Sequence, residues 1–139
     1  MAKSGHELVE HTADEGLRVW APSLDELFAE AAVGLIRVMG EASASETRSE
    51  EVRIDAPDLD ALFVDFLSEV LFLFEARDIA VERADLAVSS EPWTATGTLS
   101  GRSADAFAAT GAAVKAVTYH GLEIKRTETG YEAVVYLDV

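Results

Sequence analysis

No cysteine occurs among the 139 residues, which removes disulfides, thiolate metal sites and cysteine nucleophiles together. Lysine is nearly as scarce, with only Lys3, Lys115 and Lys125, and 26 acids against 11 bases leave a formal net charge of −15. Such a surface repels phosphate backbones, so direct non-specific binding to nucleic acid is not expected. Scattered acids with few lysines suit a salty cytoplasm; complementarity to a basic partner is the alternative, and composition leaves both open. Apolar runs stop at five residues, as in Val70–Phe74, far short of a membrane span. The opening stretch from Met1 to Glu7 lacks the apolar centre of a signal peptide. These absences predict a soluble, cytoplasmic protein with no membrane contact. Serine elbows, glycine-rich phosphate loops and dinucleotide fingerprints are missing as well.

What is present is enough apolar material for one core. Hydrophobic residues make up 49% of the chain and are spread along it, which predicts a single domain over residues 1–139. Two helices stand out. Ser23 and Glu26, after Pro22, form a capping box, and Leu24, Leu27, Phe28, Ala31, Leu35 and Met39 fall on one helical face before Gly40. Asp58 caps the second, whose Leu59, Leu62, Phe63, Phe66, Leu67 and Val70 repeat the spacing. Its other side carries Val64, Phe72 and Leu73, so this helix is expected to be the more central one.

The two segments align without a gap at an offset of 35 residues: Leu17–Phe28 on Val52–Phe63. Arg, Ala, Pro, Leu, Asp, Leu and Phe are identical in the pair. Each unit reads as a strand, an Ala-Pro corner and a capped helix. Either an internal duplication or two uses of one corner chemistry explains this, and both predict two β-α units on one sheet. Residues 41–51 are polar and read as loop. Strands are expected at Ala80–Val88, Thr94–Ser100, Ala112–Tyr119, Leu122–Arg126 and Tyr131–Val139, with Gly121 and Glu128-Thr129-Gly130 as turns. The fold class is therefore α+β: two amphipathic helices packed on a mainly antiparallel sheet, with an internal β-α repeat.

Three places carry polar residues that core packing does not require: His11-Thr12-Ala13-Asp14, the Lys115–Gly121 segment with His120, and the ending Tyr136-Leu137-Asp138-Val139. Each also has a structural explanation. Asp14-Glu15-Gly16 is good turn chemistry, His120 sits beside a turn glycine, and Asp138 ends a strand. Lys115 shares a strand face with Val117 and Tyr119, an odd position for lysine unless it is paired with an acid or serves a ligand.

Taken together, these blocks resemble the archease family. The resemblance rests on Glu10-His11-Thr12-Ala13-Asp14, Leu59-Asp60-Ala61-Leu62-Phe63, Val114-Lys115-Ala116-Val117-Thr118-Tyr119-His120-Gly121 and Leu137-Asp138-Val139. The Lys115–Gly121 block is the most specific of the four. Residues 103–110 depart from the polar, histidine-containing loop that family members often carry there.

The resemblance implies a metal-binding accessory protein, not an enzyme, that promotes guanylylation and turnover of an RtcB-type RNA-splicing ligase working with GTP. It also implies a divalent cation, calcium with magnesium or manganese as alternatives, held by Asp14, Asp138 and the terminal carboxylate of Val139. Those three groups offer only anionic oxygens, which suits a hard cation. Lys115, His11 and His120 are the candidate neighbours, and the Val139 side chain is left free to join the core. A small metal-dependent hydrolase using His11, Asp14, His120 and Asp138 is the competing expectation.

Overall fold

The computed structural model describes residues 3–10 and 15–139. Seven strands and two helices follow in the order β1 (Gly5–Glu10), β2 (Glu15–Ala21), α1 (Leu24–Met39), β3 (Thr47–Ala56), α2 (Leu59–Ala76), β4 (Ile79–Ser89), β5 (Trp93–Ser103), β6 (Ala116–Thr127) and β7 (Gly130–Asp138). The α+β class is as expected. The strands form two antiparallel sheets, however: one of four in the order β1-β2-β7-β6 and one of three in the order β3-β5-β4.

The helix starts follow from local chemistry. Ser23 Oγ accepts from the Glu26 amide at 3.2 Å, and Asp58 Oδ1 accepts from the Ala61 amide at 2.8 Å, so each cap satisfies an amide that has no partner within the helix. Gly40 closes α1, its amide donating to the Ile36 carbonyl at 3.1 Å.

Both aligned units adopt the same strand, corner and helix, yet β2 and β3 belong to different sheets, which corrects the expectation of one. The reason lies in the helices. Each is apolar on more than one side and touches strands of both sheets, so covering it needs a sheet on either side. The equivalent phenylalanines of the two units meet there. Phe28 and Phe63 pack edge to face with centroids 5.0 Å apart, and Phe66 lies 5.5 Å from Phe28. The buried apolar residues form a single continuous cluster.

Other expectations need correcting. β1 was not anticipated. Residues 47–51, read as loop, open β3; at this edge the solvent-facing Thr47, Ser49 and Glu51 hide the strand signal. Gly121 does not end a strand: β6 runs through it, with a register shift between Thr118 and Glu123. Gly121 has φ of +74°, and a Cβ there would meet the Tyr136 ring at 2.9 Å. In α2, Val64 and Leu73 are buried as expected, but Phe72 is 48% exposed.

One polar cluster ties the second sheet together. Asp78, at φ +61°, accepts from Ser103 Oγ at 2.7 Å, from the Ala104 amide at 2.8 Å and from Arg48 Nη2 at 2.9 Å. The Ser103 hydroxyl, then the Arg48 guanidinium, hold its carboxyl below the ordinary range. A carboxyl lowered in the folded state adds stability above its unfolded pKa and loses it as pH falls through the folded value. In urea unfolding, the stability gap between the native chain and Asp78→Asn should therefore be widest near neutral pH. It should close as pH drops below the ordinary carboxylate range.

Candidate functional site

β7 lies inside the four-stranded sheet, between β2 and β6, and this governs where the chain end goes. Ala133, Val135 and Leu137 alternate inward and are fully buried. Leu137 pairs with Glu15 on one side and with Val117 on the other; Asp138 pairs with Ala116. The Lys115 amide donates to the Asp138 carbonyl at 2.7 Å, one step before β6 begins. Asp138, Val139 and Lys115 are thus neighbours at one end of the sheet, where β2 also starts.

Asp138 and Val139 are both exposed. Val139 is 39% exposed and does not join the core. Among the described residues the Asp138 carboxylate has no hydrogen-bond or ion-pair partner. The donor set that the resemblance implies is all oxygen, which suits a hard divalent cation. Asp14 and His11 lie outside the described residues. Among the described residues no three His, Asp or Glu side chains gather into a metal-binding group.

Lys115 is exposed and, among the described residues, makes no ion pair. It borders an open groove of about 370 Å³ with Ser68, Leu71, Phe72 and Glu75 of α2. Lys115 precedes β6, so the expected strand face shared with Val117 and Tyr119 does not form: Val117 is buried, and Tyr119 is 56% exposed, its hydroxyl donating to Asp65 Oδ1 at 3.1 Å. That acceptor holds the Tyr119 hydroxyl above its ordinary pKa.

His120 is not brought to this cluster. It is exposed, four residues beyond Ala116, the strand partner of Asp138, and within the irregular stretch of β6. Its amide takes the Thr118 hydroxyl as acceptor at 2.9 Å. Sequence reasoning missed the Phe72 and Tyr119 surface. The available signal was helical phase: Phe72 shares a stripe with Asp65, Ser68 and Glu75, not with the buried residues. No helix among the described residues is long and apolar enough to cross a membrane.

Residues 6–139 match the model of the Archease protein family (MTH1598/TM1083). Among curated proteins, Protein archease of Saccharolobus solfataricus is 31% identical over 135 residues, covering 96% of this chain and 97% of its own. Protein archease of Methanosarcina barkeri is 32% identical over 139 residues, covering 96% of this chain and 95% of its own. The solution structure of Methanobacterium thermoautotrophicum protein 1598 superposes with a TM-score of 0.74 at 29% identity, covering 97% of this chain and 99% of that one.

Since Leu137 anchors the strand that carries the terminal pair, Leu137→Ala should cost about 2–5 kcal/mol in urea unfolding. A loss near zero would mean that β7 is not locked in the sheet.

Proposed function

Since this chain belongs to the archease family, we propose that it is an accessory protein of an RtcB-type RNA-splicing ligase. In this reading it promotes the ligase's GTP-dependent guanylylation and repeated turnover and catalyses no step itself. The observation that carries the reading is the meeting of Asp138, Val139 and Lys115 beside the start of β2. An acidic, exposed chain end next to one unpaired lysine offers a cation on one side and a phosphate contact on the other.

Asp14, Asp138 and the main-chain carboxylate of Val139 would hold a divalent cation, calcium with magnesium or manganese as alternatives, since the donor set is all oxygen. Such a cation, when bound, neutralises the carboxylates and ties the start of β2 to the end of β7. Val139 contributes through its main chain, so its side chain is under no demand from the metal. Lys115, exposed and bonded to Asp138 only through its amide, keeps its ammonium for a phosphate oxygen or a neighbouring carboxylate. The net charge of −15 argues that contact with RNA runs through the ligase, not through this chain directly. The competing hydrolase reading would need His120, four residues along β6 from the partner of Asp138, to reach the chain end.

The test pairs two assays. Purified chain alone should show no phosphatase or nuclease activity. Added to the ligase under multiple-turnover conditions it should stimulate joining, and Asp14→Ala or Asp138→Ala should remove most of that stimulation, at least about tenfold, while leaving the unfolding midpoint nearly unchanged. Stimulation that survives both substitutions would contradict the metal-bearing role of the chain ends.

A further inference from the structure

Of the four large apolar residues exposed among the described ones, two flank the seam between α2 and β6: Phe72 beside the start of β6, and Tyr119 further along it against Asp65; Val139 follows β7. Phe72 lines the groove with Lys115 and Ala116; Val139 follows Asp138, whose carbonyl receives the Lys115 amide; Tyr119 lies four residues on from Lys115. Isolated exposed apolar residues need no explanation, but clustered ones with a polar rim mark contact surfaces.

The rim here is acidic. Glu75 lines the groove and has no ion-pair or hydrogen-bond partner among the described residues. Asp65 lies at the other end of the same helical stripe, fixed by the Tyr119 hydroxyl. That bond restrains the exposed tyrosine, so less side-chain freedom is lost when a partner settles on it. Two exposed aromatics beside the carboxylates of Glu75 and Asp65 are the composition of an interface centre that recognises a basic surface.

We infer that the surface along α2 and β6, from the groove at Phe72 to Tyr119 beyond it, is the docking surface for a protein partner that presents an apolar side chain flanked by lysine or arginine. The inference rests on the accessory reading above, and it identifies the partner as the ligase, whose RNA-handling surface must be basic to hold a phosphate backbone. Docking there sets the partner directly beside Lys115 and the two terminal carboxylates. Binding and metal retention are then separate properties of adjacent surfaces.

The experiment measures the affinity of purified, untagged chain for purified ligase by titration calorimetry, with Phe72→Ser and Glu75→Lys as variants. Calcium binding, the unfolding midpoint and sedimentation of each chain alone are recorded in parallel. Phe72→Ser should weaken ligase binding roughly tenfold or more. Glu75→Lys should weaken it too and flatten its dependence on salt. Both variants should keep calcium binding and the unfolding midpoint of the native chain. If the native chain stimulates the ligase and both variants bind it with unchanged affinity, the docking surface is wrong and the accessory role stands. If the native chain neither binds nor stimulates the ligase, both fall. A native chain that sediments as a dimer, split by Phe72→Ser, would assign the groove to a second copy of the chain and overturn the inference.

Discussion

The last strand of this protein lies in the interior of a sheet, hydrogen-bonded on both sides, and the candidate site depends on that constraint. β7 could have been added at an edge, where a terminal strand frays. Instead β2 and β6 enclose it, and Ala133, Val135 and Leu137 are buried without residual exposure. Burial of a leucine alone contributes about 1.5–3 kcal/mol relative to exposure. The backbone at Leu137 and Asp138 is therefore held at a defined position relative to Glu15 and Lys115.

The two helices make this arrangement affordable in size. Each serves two sheets, so one set of apolar side chains fills the space that two separate cores would otherwise need. The repeat in the sequence is visible in that shared layer. Phe28 and Phe63, equivalent positions of the two β-α units, meet edge to face, while their strands diverge into different sheets. The same corner chemistry was thus used twice, and long-range strand pairing decided where each copy went.

Features set by neighbouring residues were legible in the sequence. Ser23, Asp58 and Gly40 cap the helices in the way their side chains and backbone freedom dictate. Strands β4, β5 and β7 follow from alternation and turns. Pairings between distant segments were not, because nothing local in Leu17 records that it will lie opposite Val135. β1 was missed since its short run holds only Leu8 and Val9 as apolar residues. Phe72 was misread because it lies within a continuous apolar run, where helical phase is hard to see. At the site, residue chemistry marked Asp138 and Lys115 as unusual, and family resemblance supplied the metal and the partner. Only the register places Lys115 next to the chain end and carries His120 away from it.

Charge makes this corner distinctive. The protein carries a large excess of acids, yet Lys115 stands beside the terminal pair without a neutralising partner among the described residues. A cation between the carboxylates would relieve their repulsion and leave the lysine available. The most direct measurement is a calcium titration of the untagged chain beside one extended by a few neutral residues after Val139. The extension removes the carboxylate from that position and leaves every side chain intact. One cation per native chain is predicted, with affinity falling at least about tenfold in the extended form. Equal affinity in the two forms would contradict a site built on the chain's terminal carboxylate.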